Sequence, residues 1–287
     1  MKNYKILFLA LITILFFSSC DEIEKPYLRD DSGGGGTATV AKKILLEDFT
    51  GHRCVNCPGA HVVAHDLQEE YGEQIIVVGV HAGYFAEPSG EVFSRDFTTV
   101  AGEQLSGDFQ VAQYPSGMIN RSEVDGNVVI GQDKWTAAVG AMVQGEAEIK
   151  LEIENTYNYD DRKLNSSVDV TFLSSNLAST YNICVYITED NIIAPQMNND
   201  ESIGETPDIL EYNHRHVLRK AINGTYGDVI TSEAITIETP YTFDFTDVVI
   251  PQEWNAEHLS IVAFVIDQAN QQVIQAEQLK AVIPITR

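Results

Sequence analysis

Positive charge is scarce in this chain. It has 18 Lys and Arg against 42 Asp and Glu in 287 residues, a formal net charge of −24. Nucleic-acid binding needs a dense cationic surface, so that class is excluded. Charge-driven docking on anionic lipid is disfavoured for the same reason. Beyond the N-terminus no apolar run is long enough to cross a bilayer as a helix. There is no glycine-rich phosphate loop, no G-x-S-x-G elbow and no internal repeat, so the common nucleotide-binding and hydrolase signatures are missing. What is present is an ordinary globular composition, 44% apolar, long enough for one large domain or two modest ones.

The N-terminus is the exception to both statements. Lys2 and Lys5 precede an apolar run from Ile6 to Phe17, broken only by Thr13. Twelve residues at about 1.5 Å rise span roughly 18 Å, short of a bilayer core of about 30 Å. This is the pattern of a secretory signal over residues 1–19. It ends in Phe17-Ser18-Ser19-Cys20, which resembles a bacterial lipobox. The resemblance implies that Cys20 is lipidated and becomes the mature N-terminus. The mature chain then carries 16 basic and 42 acidic residues, a net charge of −26. It would be exported and held to the outer membrane by lipid alone, facing periplasm or exterior. Asp21, Glu22 and Glu24 resemble the surface-export signal of Bacteroidetes lipoproteins. Residues 20–37, with Pro26 and four consecutive glycines, read as a flexible tether.

Hydrophobic periodicity divides the rest at about Gly145. Residues 38–144 are β–α–β in pattern. Lys43–Phe49 and Gln74–Val80 are short apolar runs of the buried-strand type. Between them, Val63, Leu67 and Tyr71 are spaced by four, predicting a helix over 60–71 with Gly72 as its C-cap. A helix is expected near 95–105, a strand after Pro115, a hairpin turn at Asp125-Gly126-Asn127 and a helix over 135–143. From 146 the period becomes two, apolar residues alternating with Glu and Lys as far as Glu154. Further strands are predicted at 168–173, 183–187, 235–237, 259–266 and 273–283. That succession predicts an antiparallel sandwich over 145–287. The acidic surplus falls mainly there, with 8 basic against 23 acidic residues. Asn198–Glu211 reads as an acidic loop.

The sharpest local feature is Cys54-Val55-Asn56-Cys57, between a buried strand and a helix. In that setting a C-x-x-C pair reads as redox-active. Unpaired N–H groups at a helix N-terminus stabilise a thiolate, and the thiolate is the nucleophile of disulfide exchange. Arg53 and His52 add positive charge beside it, and Pro58 suits the first helical turn. A structural disulfide is the alternative. Closing so short a loop constrains little of the unfolded chain, so its stabilising value is small. Metal binding is the third reading, because Cys57, His61 and His65 recur every four residues. Positions 57 and 65 lie about 12 Å apart along a helix, too far for both to ligate one zinc. No metal or other cofactor is therefore expected. His81 ends the second strand and could approach the pair from the carboxyl edge of the sheet. Cys184 reads as a buried free thiol. His214, Arg215, His216 and Arg219 concentrate positive charge in an acidic region and suggest either a patch for an acidic partner or internal pairing with carboxylates.

The run Asp48-Phe49-Thr50-Gly51-His52-Arg53-Cys54-Val55-Asn56-Cys57 resembles the thioredoxin superfamily. The resemblance implies that Asp48 is a buried carboxylate assisting proton transfer. It also implies that Pro115 is a cis-proline that shapes a substrate groove with Tyr114. This chain departs from the usual pattern in having Arg53 where Trp commonly precedes the first cysteine. Over nearly its whole length the chain also resembles the twenty-eight-kilodalton outer-membrane lipoprotein family of Bacteroidetes. The carriers are the lipobox, Phe49-Thr50-Gly51, the cysteine pair with Pro58, Tyr114-Pro115, and the runs Asn213–Arg219 and Asn223–Gly227. That implies an α/β thioredoxin-like domain followed by an all-β antiparallel, immunoglobulin-like sandwich. Two functions follow as expectations. One is thiol–disulfide exchange with protein thiols or disulfides. The other is surface binding or adhesion to an extracellular protein or glycan, with Cys54–Cys57 a non-catalytic disulfide.

Overall fold

The computed structural model describes residues 40–174 and 180–282. The signal segment, Cys20 and the tether lie outside them.

β1 (Ile44–Thr50) and β2 (Ile75–His81) run parallel, Ile44 opposite Ile75 and Thr50 opposite His81. Both are apolar runs and both are buried at every position, as a strand covered on two faces must be. α1 (Cys57–Tyr71) makes the crossover, and Gly72 ends it at φ 58° with its N–H on the Gln68 carbonyl. α2 covers Val100–Asp108, displaced towards the C-terminus from its expected place. Thr99 fixes that start, its hydroxyl accepting from the Gly102 N–H. β3 (Ser116–Ile119) returns antiparallel beside β1, and α3 is Trp135–Met142. The Asp125–Gly126 turn forms, with φ 51° and 78° and a bridge between Val124 and Asn127.

The later strands are β4 (Ile149–Asn158), β5 (Lys163–Phe172), β6 (Tyr181–Glu189), β7 (Ile192–Met197), β8 (Asp208–His214) and β9 (Val217–Ala221). They are followed by β10 (Asp228–Val229), β11 (Pro240–Val249), β12 (Leu259–Asp267) and β13 (Val273–Lys280). Residues 235–237 are not a strand: the Ile-Thr-Ile alternation lies in a loop, and the partner of β5 is β11, three residues on. The supposed acidic loop 198–211 ends inside β8, which pairs with β7 as a hairpin.

The architecture is mixed α/β, with strands dominant. One sheet has the order β13-β12-β6-β9-β2-β1-β3, with β10 also on β6. Strands from both sides of Gly145 therefore share a sheet. The junction is narrow. β2 and β9 meet only where Gly79 pairs with Val217, the Gly79 N–H donating to the His216 carbonyl at 2.8 Å. A Cβ at Gly79 would lie 3.4 Å from the Arg215 and His216 carbonyl oxygens, at the edge of ordinary contact.

Among the described residues, the three larger cores follow from strand alternation. On one face of β1 and β2, Ile44, Leu46, Ile75 and Val77 pack under Ala60, Leu67 and Trp135 from the helices. On the other, Leu45, Phe49, Ile76 and Val78 meet Leu105 of α2 and Tyr186 and Phe264 of β6 and β12. The opposite faces of β6 and β12 present Ile183, Val185, Ile261 and Val265 to the separate sheet β11-β5-β4. This places the cysteine pair at the carboxyl end of β1, directly under the β7–β8 hairpin.

Candidate functional site

The chain turns sharply after β1. The Cys54 N–H donates to the Gly51 carbonyl at 3.0 Å, and the Arg53 N–H to the Phe85 carbonyl at 3.0 Å. A Cβ at Gly51 would stand 2.5 Å from the Phe85 backbone, so the close passage of these segments needs glycine. Cys54 and Cys57 form a disulfide, Cys57 being the first residue of α1 and Pro58 following it. The pair is enclosed, Cys54 2% exposed and Cys57 fully buried. The Arg53 guanidinium stacks on Tyr84, 4.5 Å from the ring centre.

A strap from the far half of the chain ties this turn down. Gln196 at the end of β7 donates from Nε2 to the Cys54 carbonyl at 3.0 Å. The Met197 N–H donates to the His52 carbonyl at 2.8 Å and the Asn199 N–H to the Val55 carbonyl at 3.2 Å. Asn199 Nδ2 donates to Asn56 Oδ1 at 2.7 Å. Sequence reasoning missed these residues, since only the fold brings positions about 140 apart together. Beside the pair runs a groove of about 420 Å³, bordered by Val55, Asn56, Tyr114, Pro115 and the strap residue Asn199. The Tyr114–Pro115 peptide bond is cis, and the Tyr114 hydroxyl lies 2.9 Å from Ser106 Oγ.

Asp48, on β1, is buried. Burial pushes its carboxyl up to about 8, so it holds its proton at neutral pH. Its Oδ2 stands 3.6 Å from His61 Nε2. That contact is not a charged bridge at neutral pH, because burial, aided by His216, brings the His61 imidazole down to about 4. His61 is one turn beyond Cys57 on α1. Its Nε2 lies 2.9 Å from Thr50 Oγ1 and its Nδ1 2.7 Å from the Tyr212 hydroxyl.

The cationic run on β8 and β9 divides. His214 points inward and is 1% exposed, packed on Phe97 with His81. His216 Nδ1 is 3.0 Å from Asp190, which burial opposes but His216 and Lys280 hold well below the usual carboxylate range. Arg219 pairs with Glu189 at 3.1 Å and stacks on Trp254. Of the four, only Arg215 is exposed. Among the described residues no three His, Cys, Asp or Glu converge as metal ligands. Cys184 is a buried free thiol, pushed by burial up to about 12 and so unreactive.

Burial holds His81 and His214 neutral, His81 well below its ordinary range and His214 at about 3. Both take protons on unfolding below about pH 6.5 and refuse them when folded. Their contribution to stability is whole above pH 6.5 and is lost as pH falls towards the folded values. Between pH 6.5 and 5.5, urea unfolding of the wild type should therefore lose about 1 kcal/mol more stability than that of His81→Phe, a comparison in which the opposing Asp48 proton cancels. An equal change in wild type and His81→Phe over this interval would refute the neutral assignment.

No curated protein matches the chain significantly. Among solved structures, HBP35 of Porphyromonas gingivalis is similar at 18% identity and TM-score 0.60, over 88% of this chain and 79% of that one. A structural-genomics protein of Agrobacterium tumefaciens is similar at 10% identity and TM-score 0.52, over 87% of this chain and 99% of that one. These likenesses concern the fold. A domain of the outer membrane lipoprotein Omp28 from Porphyromonas gingivalis aligns at 23% identity and TM-score 0.31, over 47% of this chain and 88% of that domain. Residues 102–283, well over half the chain, match the family model of outer membrane protein Omp28, and the chain accordingly belongs to that family of outer-membrane proteins.

Proposed function

We propose that this outer-membrane protein is lipid-anchored through Cys20 and carries out thiol–disulfide exchange at Cys54–Cys57. In this reading residues 38–144 are a thioredoxin-like domain, and residues 145–287 an immunoglobulin-like sandwich joined to it through the shared sheet. The observation that carries the reading is the placement of Asp48. A carboxyl held protonated near neutrality sits on the strand that runs into a C-x-x-C disulfide and 3.6 Å from His61 on the helix that Cys57 begins, and Pro115 borders a groove beside Val55 and Asn56.

The chemistry runs as follows. Cys54 Sγ, as thiolate, attacks one sulfur of a protein disulfide, forms a mixed disulfide and releases the other sulfur as thiolate. Cys57 gives its proton to ionised Asp48 and attacks Cys54 Sγ. The Cys54–Cys57 bond closes, the second substrate sulfur leaves as thiolate, and two electrons have passed to the substrate. Tyr114 and Pro115 would shape the groove for the substrate chain. The expected result is insulin-type disulfide reduction that disappears in Cys54→Ala. Activity no higher than that control would end the proposal.

A second reading is favoured by the burial of both cysteines under the strap. There the pair is a retained disulfide, and the protein binds an extracellular protein or glycan. Thiol labelling of native protein with and without mild reductant separates the two. A pair that resists reductant and stays unlabelled favours binding.

A further inference from the structure

A cavity of about 290 Å³ opens between α1 and the β8–β9 segment. Asp48, Thr50 and His61 line it, with Tyr212 from β8, and Gln68 and Arg215 are among its other walls. Asp48 Oδ1 is buried with no hydrogen-bond partner among the described residues. A buried carboxyl that must shed and regain a proton in each exchange cycle needs a route to water, and protein side chains supply such routes. The contacts from Asp48 outward form one. They run from Oδ2 to His61 Nε2 at 3.6 Å, then from His61 Nδ1 to the Tyr212 hydroxyl at 2.7 Å. Thr50 Oγ1, 2.9 Å from Nε2, steadies the ring.

We propose that His61 is a positioning residue that relays protons between Asp48 and the cavity, with Tyr212 as the outer member of the relay. This rests on the thiol–disulfide reading above and names what sets the proton traffic of that same site. Asp48 must lose its proton before it can accept that of Cys57. His61 Nε2 receives the proton from Asp48 Oδ2 while Nδ1 gives one to Tyr212, whose hydroxyl proton passes to water. No net charge builds up on the ring. The 3.6 Å gap is longer than a hydrogen bond and needs a shift of some tenths of an ångström to close, a common condition in resting sites.

Other titratable groups share the cavity. His81 comes from β2, and His214 and His216 from β8 and the turn to β9; His65 on α1 and Arg215 add to them. His81 and His214 are neutral and buried, His81 engaging the Gly79 backbone and His214 the backbone of Ala194 and Pro195, so neither connects Asp48 to solvent. His216 is engaged by Asp190. Among the described residues, only His61 contacts both the carboxyl and an outer hydroxyl. Tyr212 belongs to the Asp208–His214 strand, so the later half of the chain would supply part of the thiol site's proton path.

The test is the rate at which the fully reduced protein closes Cys54–Cys57 when mixed with glutathione disulfide, followed from pH 6 to 9. His61→Ala should close the pair about tenfold more slowly at pH 7. The deficit should shrink towards pH 9, where Asp48 ionises without help. Free imidazole, entering the enlarged cavity, should restore the rate. Tyr212→Phe should show a smaller deficit of the same pH shape. Melting temperatures of both variants identify any loss of folding. Wild-type rates in His61→Ala at every pH, or a deficit that imidazole does not relieve, would overturn the relay alone. A wild-type pair that does not exchange with glutathione disulfide would overturn the thiol–disulfide reading and the relay with it.

Discussion

Asp48→Asn should unfold at higher denaturant than wild type, with a gain that widens as pH rises from 5 to 9. The carboxyl has an ordinary value of 3.8 and is raised to about 8 in the folded protein, by burial. A raised folded value means that the native state holds a proton the unfolded chain releases. The stability linked to it is whole below about pH 3.8 and is lost as pH climbs through 8. Asn keeps the shape, removes the ionisation and so removes the loss. The gain should be on the order of 2–4 kcal/mol at pH 7 and larger at pH 9. Urea unfolding of the oxidised protein at pH 5, 7 and 9 measures it. A variant as stable as wild type at pH 9, or less so, would show that Asp48 is not the proton-holding group. A residue that lowers stability at working pH invites a functional explanation, because folding alone would favour its neutral isostere. The same substitution should slow closure of the Cys54–Cys57 bond. Stability gained together with exchange lost is the pair of results that the thiol–disulfide reading requires.

How much of this was legible in the sequence depends on the range of the interaction. β1 and β2 were visible as apolar runs, and α1 as a spacing of four, because those signals are local and the elements are buried on the expected faces. β11 was not, although Tyr241, Phe243 and Phe245 alternate with polar residues. A bulge breaks its register between Phe245 and Val248, and Ile235–Ile237 offered a shorter alternation nearby that has no strand partner. β7 carries Pro195, which argues against a strand unless it lies at an edge, and β7 pairs only with β8. The continuity of the sheet past Gly145 depends on one pairing, Gly79 with Val217, and no periodicity records that. In the site, Cys54, Cys57, Asp48 and Pro115 were legible from spacing and resemblance. Gln196, Asn199 and Tyr212 were not, since each acts through tertiary contact across about 140 residues or more. His214 looked like part of a charged patch. Strand alternation instead turns it inward while Arg215 faces out.

Removing one partner of the Glu47–Arg121 pair should cost about 3–5 kcal/mol. Glu47 neighbours Asp48 on β1, and Arg121 follows β3; both are buried. The carboxylate takes Arg121 Nε at 2.8 Å and Nη2 at 2.7 Å, a two-point contact. Burial works against the guanidinium charge, but Glu47 prevails and keeps it ionised. Glu47→Gln leaves that cation in an apolar core with half its partner. Arg121→Met leaves Glu47 alone, with the same consequence. Replacing both with apolar residues should recover most of the loss, since the desolvation of two charges disappears with their attraction. Denaturant midpoints of the two singles and the double give the coupling directly. Singles costing under 1 kcal/mol, or a double as unstable as the sum, would refute it. The consequence extends to the site. The guanidinium lies over Phe109 after α2, Tyr226 before β10 and Phe264 on β12, at 5.4–5.8 Å, so it clamps elements from both sides of Gly145 onto β1. β1 carries Asp48 and ends in the turn that holds Cys54. Loosening the clamp should raise the rate at which reductant and a thiol label reach the pair, even at temperatures where Glu47→Gln remains folded. Labelling as slow as wild type in that folded variant would mean that the strap alone, through Gln196 and Asn199, controls access to the cysteines.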